Sequence, residues 1–121
     1  MTITLTSITL DCDDAQAVAT FWSAALGRTV NDGASREFAS IGYGRGSETP
    51  AWLFLRVPEG KSAKNRMHVD LTATDREAEV ERLVGLGAQR VGDVAEWGHK
   101  WTVLQDPEGN EFCVAEQQAS A

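Results

Sequence analysis

The sequence has few residues of the kinds that direct a protein to nucleic acid or membranes. Its 11 lysine and arginine residues stand against 18 acidic residues, which gives a net charge of −7. Nucleic acids and anionic membranes attract clustered basic residues, so we expect neither as a partner. No apolar run reaches the roughly 20 residues of a membrane span. The first residues also lack the basic flank and apolar run of a signal peptide, so we expect a cytoplasmic protein.

Cysteine is also scarce. The two cysteines, Cys12 and Cys113, could pair, but a cytoplasmic protein keeps its thiols reduced, and we therefore predict free thiols. A chain of 121 residues can bury a modest core without disulfides, and we predict one domain over residues 1–121.

The chain contains one pattern twice. Residues 7–14 lead into a helical stretch that ends at Leu26-Gly27, and residues 68–75 lead into one that ends at Leu86-Gly87. The two segments are offset by 61 positions, about half the chain. A repeat of this length predicts two copies of one supersecondary unit.

Each half reads as one strand, one helix and further strands. Alternating or β-rich segments predict strands at 2–12, 36–43, 51–57, 67–73, 89–94, 100–105 and 111–116. Asp13 in the first half, and Thr74 or Asp75 in the second, are suitable helix N-caps. We therefore predict β-α-β-β-β twice: module one over about 1–58, a polar linker over about 59–65, and module two over about 66–121.

The first strand of each module has an apolar face, which we expect to lie under its helix. The opposite face carries Ser7 in module one, and His68 and Asp70 in module two. Two such sheets side by side would enclose a groove lined by these polar residues. A concave surface between structural units is the usual place for a small-molecule site.

Several motifs together resemble the vicinal oxygen chelate superfamily, which contains glyoxalases, bleomycin-resistance proteins and extradiol dioxygenases. The motifs are Phe21-Trp22, residues 64–71, Leu86-Gly87-Ala88 and residues 101–113, which contain Asp-Pro-Glu-Gly-Asn. The similarity is greatest to the small bacterial glyoxalase-like domains. It implies an α+β fold of two modules paired into a cup-shaped mixed sheet with helices outside, and commonly a homodimer.

The resemblance also implies where a metal would bind. In metal-dependent members the ligands come from the first and last strands of each module, which here are Ser7, His68, Cys113 and a position predicted at Leu55. Glutamate usually stands at the Cys113 position, and a leucine cannot bind a metal. One imidazole, one thiol and one hydroxyl are a poor set for iron or zinc. We therefore expect no cofactor, with a divalent metal at His68 as the alternative.

His68 is the strongest candidate site residue, as a ligand contact or as a catalytic acid, base or metal ligand. It is equally well explained as a structural histidine held by Asp70 or by the backbone. Cys113 either faces a ligand or is a small buried residue. Trp52, Trp97 and Trp101 either stack on a ligand or seal the core.

The leading functional hypothesis is a protein that binds a small aromatic or amphipathic molecule, or sequesters an antibiotic, without metal. The predicted ligand contacts are Ser7, Trp52, Leu55, His68, Asp70, Trp97, Trp101 and Cys113. The alternative is an enzyme of the same superfamily, a lyase, isomerase or dioxygenase in which His68 is catalytic. A third possibility is an interaction module whose dimer surface matters and whose groove is degenerate.

Overall fold

The computed structural model describes residue 3 and residues 5–44 and 50–117. The chain divides into two compact units, Met1–Gly60 and Lys61–Ala121. In each unit one helix packs on one face of a single sheet. No helix in the described residues is long and apolar enough to cross a membrane. That residues 1–121 form one domain stays a prediction.

The first unit is built around a three-stranded sheet. Its elements are β1 (Ser7–Cys12), α1 (Ala15–Leu26), β2 (Phe38–Ile41) and β3 (Ala51–Arg56). The strand order is β1-β3-β2, with β1 parallel and β2 antiparallel to the central β3.

The second unit is built around a four-stranded sheet. Its elements are β4 (Val69–Ala73), α2 (Arg76–Leu86), β5 (Gln89–Glu96), β6 (His99–Gln105) and β7 (Glu111–Glu116). The order is β4-β7-β6-β5, with β4 parallel to β7 and the other pairs antiparallel. Both sheets are open, and the predicted α+β class is confirmed.

The second unit has the predicted β-α-β-β-β order, whereas the first differs in detail. Its described residues contain three strands, one fewer than the predicted order requires, and an isolated bridge joins Val30 to Ile41. Strand β1 begins at Ser7, the register partner of Ala51 at the start of β3, and the described residues 3, 5 and 6 of the predicted strand lie outside it. Thr2 and Thr4 of the predicted strand, and residues 45–49 of the loop before β3, lie outside the described residues.

Both helices begin at an aspartate that accepts a hydrogen bond from the first turn. Asp75 caps α2 as predicted, through a bond from the Ala78 backbone N–H of 3.1 Å. In the first unit the cap is Asp14 and not Asp13. Asp13 pairs with Arg36 at 3.2 Å instead, because it stands one residue too early to reach the free N–H groups of the first turn.

The core of the first unit is aromatic. Trp22 of α1 is 1% exposed and packs against Trp52 of β3, with ring centroids 4.8 Å apart. Phe54, also of β3, and Ile41 of β2 are fully buried on the same side of the sheet. Trp52 and Phe54 alternate along β3 and therefore share one face, which α1 covers.

A polar network crosses the helix-covered face of the second sheet. Arg76, at the start of α2, donates to the Thr102 hydroxyl of β6 at 2.8 Å, and that hydroxyl donates to Asp93 of β5 at 2.8 Å. Arg90 of β5 donates to Glu77 of α2 at 2.8 Å. Phe112, Leu104, Val114, Leu83 and Val80 form the apolar core nearby. These hydrogen bonds connect α2 to strands β5 and β6.

Candidate functional site

Three side chains with metal-binding and acid–base chemistry meet on the face of the second sheet that points away from α2. In the parallel pair of β4 and β7, Asp70 is the register partner of Cys113. Phe112 and Val114, on either side of Cys113, point toward α2 and are at most 1% exposed. Alternation along the strand therefore turns Cys113 to the opposite face, which we call the site face.

His68 completes the group, immediately before β4 begins. Its Nδ1 lies 3.0 Å from Oδ1 of Asp70, two residues along the chain. The donor atoms of His68, Asp70 and Cys113 all lie within 4.8 Å of one another, and we call these three residues the donor cluster. The side chains of His68 and Asp70 are 44% and 64% exposed, whereas Cys113 is buried at 7%. The cluster therefore places a buried thiol beside two side chains that are exposed to solvent.

The surroundings of Cys113 favour its neutral form. Burial raises the pKa of the thiol, and the charge and hydrogen bond of Asp70 raise it further, against a smaller lowering by Lys64. A nucleophilic cysteine needs the opposite, a nearby cation or helix N-terminus that stabilises the thiolate. The arrangement therefore argues against Cys113 as a free nucleophile.

The segment before His68 is tied to the sheet by Glu111, the first residue of β7. One carboxylate oxygen accepts from the Asn65 backbone N–H at 2.8 Å, and the other accepts from the Lys61 ammonium at 3.0 Å. Burial opposes ionisation of this carboxyl, but these bonds outweigh it and lower the pKa of Glu111. The sequence indicated only a solvated linker here. Nothing local marks Glu111 as the anchor, because the contact spans 46 residues.

An apolar row lies beside the donor cluster. On the β6 side, Val103 is the register partner of Cys113, and Trp101 is the partner of Ala115, two residues further along β7. Trp101 and Val103 are both half-buried. The predicted contacts His68, Asp70, Cys113 and Trp101 therefore share one face of one sheet.

The structure places Trp97 elsewhere. It lies at the tip of the β5–β6 hairpin, where Glu96 and His99 are partners, and it is 84% exposed. Its φ of 52° is followed by a φ of 76° at Gly98, the two positive values of a type I′ turn. Trp97 is thus separated along the hairpin from the apolar row of Trp101 and Val103 and from the donor cluster.

The three predicted contacts of the first unit lie on different parts of its sheet. Trp52 is 6% exposed and belongs to the core beneath α1, with Trp22. Leu55 is 45% exposed and pairs with Asp11, whereas Ser7 pairs with Ala51 at the other end of β1. Ser7 and Leu55 are therefore four register steps apart, roughly 13 Å at 3.3 Å per residue.

The register also identifies which residue of the first unit corresponds to Cys113. Cys113 pairs with Asp70, whose counterpart 61 positions earlier is Thr9, and Thr9 pairs with Leu53. The counterpart is thus Leu53 and not Leu55. Neither leucine can bind a metal, so the residues present do not fit the four-ligand set that the resemblance implies. The positions of His68, Asp70 and Cys113 correspond in the first unit to Ser7, Thr9 and Leu53.

A profile of the glyoxalase-like domain family matches residues 7–115. A search among curated proteins found no match. Many solved structures share the fold. A glyoxalase/bleomycin resistance protein/dioxygenase family enzyme from Burkholderia phytofirmans PsJN is 18% identical, with a TM-score of 0.74 and coverage of 94% of this chain and 98% of that one.

Two further structures extend the comparison. The bleomycin-binding protein of Streptomyces verticillus, in complex with copper(II)-bleomycin, is 20% identical, with a TM-score of 0.63 and coverage of 98% and 100%. A lactoylglutathione lyase from Agrobacterium tumefaciens is 17% identical, with a TM-score of 0.63 and coverage of 93% and 92%. At these identities the neighbours share the fold with this chain, and their activities do not transfer with it.

Proposed function

The chain belongs to the glyoxalase-like domain family of the vicinal oxygen chelate superfamily, and on that premise we propose that it binds a small aromatic or amphipathic molecule on the site face of the second unit. The observation that carries this proposal is the placement of the polar donor cluster beside the apolar row of Trp101 and Val103.

The two halves of this surface suit two parts of one ligand. The exposed imidazole and carboxylate of His68 and Asp70 offer a hydrogen-bond donor and an acceptor to polar groups. The indole of Trp101 offers a flat apolar surface for a ring or a short aliphatic chain. Small-molecule sites commonly combine apolar lining with a few placed polar groups.

Binding without chemistry is compatible with the family. The Streptomyces verticillus neighbour binds bleomycin in complex with copper(II), and lends support to a sequestering role for this chain. We propose that recognition of the organic ligand has no obligatory cofactor, because the four family metal positions include a leucine and a serine.

The proposal extends to the state of the protein in the cell. We propose a cytoplasmic homodimer that engages neither nucleic acid nor membrane. Both cysteines are free thiols, as in reducing compartments, and the net charge of −7 opposes binding to anionic polymers. Analytical ultracentrifugation of the full chain tests the dimer directly.

A thermal-shift screen tests the binding proposal. The chelator-treated protein is screened against aromatic and amphipathic metabolites and bleomycin-type antibiotics, because a ligand that binds the folded state raises Tm. We expect at least one hit whose shift is lost in His68→Ala and in Trp101→Ala. The matched control Trp97→Ala alters the exposed hairpin indole and should keep the shift. A hit that is unchanged in both site variants would place binding elsewhere.

One observation favours a second candidate function, catalysis by His68. The 3.0 Å contact between Nδ1 of His68 and Oδ1 of Asp70 holds the imidazole in one orientation, as the partner of a general base does. The reactions of the superfamily suggest a lyase, isomerase or dioxygenase. Turnover of a methylglyoxal–thiol adduct or a catechol, with loss of kcat in His68→Gln, would support this function over simple binding.

A further inference from the structure

We propose that the ligand of the site face is an elongated amphipathic amine, whose ammonium group binds Asp70 and whose apolar part crosses β7 and β6 and leaves the sheet over Gly92. The inference rests on the proposed function and adds the head group and the length of the ligand. One straight line of register partners across the four strands of the second sheet carries it. We call this line the cross-strand row, and its members are Asp70, Cys113, Val103 and Gly92.

The whole row lies on the site face. Thr102 and Leu104, on either side of Val103, are fully buried on the α2 side, so Val103 points the other way. Asp93, the neighbour of Gly92, also belongs to the α2 side, where it accepts a hydrogen bond from the Thr102 hydroxyl. Neighbouring strands lie about 4.8 Å apart, so a row over four strands spans roughly 14 Å. A molecule that follows the row is therefore longer than a single ring.

The β4 end of the row selects the head group. The Asp70 carboxylate is exposed, and no lysine or arginine in the described part of the chain forms an ion pair with it. Its partners are Nδ1 of His68 at 3.0 Å and the Cys113 thiol. An ammonium group donates charge-assisted hydrogen bonds to a carboxylate, which are stronger than neutral ones. The net charge of −7 also favours a cationic ligand over an anionic one.

The middle of the row is apolar and low. Cys113 is buried and Val103 is half-buried, and neither has a long side chain. Trp101 and Val94 are register partners of each other and stand two residues further along β6 and β5, on the same face. An aromatic or aliphatic body across Cys113 and Val103 is therefore flanked by the indole of Trp101.

The β5 end of the row is open because its last residue is glycine. Apart from its chain neighbours, no atom of the described residues lies within 4 Å of the place where a Cβ of Gly92 would stand. Strand β5 is an edge of the four-stranded sheet. The register shifts between Arg90 and Gly92, which leaves Val91 without a partner on β6. Such a bulge bends an edge strand. An apolar tail can therefore pass over the Gly92 backbone and beyond the edge.

Isothermal titration of the full chain with 4-alkylbenzylamines, below their micelle concentrations, tests the inference. This series keeps the ammonium group and the ring and lengthens only the tail, and benzylamine itself ends before Gly92. We expect the wild type to bind 4-hexylbenzylamine at least about tenfold more tightly than benzylamine, because each buried methylene adds up to about fourfold. Asp70→Asn should weaken both amines by a similar factor, about tenfold, because they share the head group.

Gly92→Val closes the open end of the row. It should weaken 4-hexylbenzylamine by at least about fivefold and change benzylamine by less than about twofold. Valine suits a strand, and the φ of Gly92 is not positive, so the variant should fold, which thermal unfolding checks. Gly92→Ala should give a smaller loss in the same direction. The matched control is Ala95→Val, which places the same side chain on the α2 face of β5 and should keep both affinities.

The outcomes separate this inference from the proposed function. An unchanged preference for the longer tail in Gly92→Val, an equal loss of both amines, or binding untouched by Asp70→Asn would overturn the inference. It also falls if the wild type binds none of these amines. In that case the proposed function stands if the thermal-shift screen gives a hit that depends on Trp101, and falls with the inference if the screen gives none.

Discussion

Asp70 and Cys113 are direct register partners in the parallel pair of β4 and β7, and both side chains lie on the face of the sheet opposite α2. In the first unit the equivalent pair is Thr9 and Leu53. The two units thus share a first-strand–last-strand pairing, and at this register position only the second unit has ionisable side chains. This pair, with His68, is the basis of the proposed function.

The first prediction concerns the acidity of Cys113. Burial raises the pKa of its thiol, and the negative charge of Asp70 raises it further. Asp70→Asn removes that charge and should lower the pKa, so alkylation of the thiol should become faster at a given neutral pH. The rate is measured with chelator in a Cys12→Ala background, where Cys113 is the only thiol. A rate that stays equal or falls would contradict the arrangement.

The second prediction concerns the anchor of the segment before His68. Glu111→Gln removes the charge that binds Lys61 and weakens the bond from Asn65, in a side chain only 11% exposed. We expect a loss of about 1–2 kcal/mol in the free energy of unfolding, measured with urea. Glu59→Gln, an exposed carboxyl in the preceding segment, should change it by less than about 0.5 kcal/mol. Equal effects would show that Glu111 anchors nothing.

The third prediction concerns acid stability. The hydrogen bond from Thr102, followed by that from Arg90, lowers the pKa of Asp93. The contribution of Asp93 is therefore present above its unfolded pKa, near 4, and is lost as pH falls through the lower folded value. Thr102→Val should reduce stability at neutral pH by about 1–3 kcal/mol, because the buried Arg76 bond is lost as well.

Thr102→Val should also flatten the decline of stability below about pH 4. Urea unfolding at several pH values checks both effects. Thr72→Val, at an exposed position of β4, serves as the control and should keep the wild-type profile. A variant with wild-type neutral stability would show that the network is not structural.

The fourth prediction concerns the β5–β6 hairpin. Trp97 has a φ of 52°, a conformation that asparagine adopts more readily than tryptophan. Trp97→Asn creates the Asn-Gly pair favoured in type I′ turns and should raise the free energy of unfolding by about 0.5–1 kcal/mol. Thermal unfolding measures it. Destabilisation would instead indicate that the exposed indole makes a contact that stabilises the fold.

The sequence pattern was sufficient for elements whose signals are local. The alternation in β4, the Asp75 cap and the glycines after Leu26 and Leu86 depend on neighbours a few residues apart, and the structure contains them as predicted. Among the described residues, the predicted start of β1 was too early, since Ile3 and Leu5 alternate like a strand but lie outside β1. A strand forms only where a neighbouring strand supplies backbone hydrogen bonds, in addition to the alternating sequence pattern.

Which site residues lie side by side depends on the register between neighbouring strands, and the local sequence pattern gives no information about that register. His68 and Asp70 could be paired from their spacing of two residues, but the position of Cys113 beside Asp70 follows only from the β4–β7 ladder. Sequence reasoning about metals therefore considered Cys113 with Ser7 and Leu55 and omitted Asp70. The sequence left open whether Trp52 stacks on a ligand or seals the core, because its contact with Trp22 of the helix forms only after the sheet is assembled.

The central claim, that a small molecule binds the site face of the second unit, is tested most directly by two-dimensional NMR. The ligand from the thermal-shift screen is titrated into chelator-treated protein with assigned amide and tryptophan indole signals. We predict that the Trp101 indole and the Asp70 and Cys113 amides shift together and saturate at one ligand per chain, while the Trp97 indole stays in place. Saturable shifts that leave all three site-face signals unmoved would contradict the account.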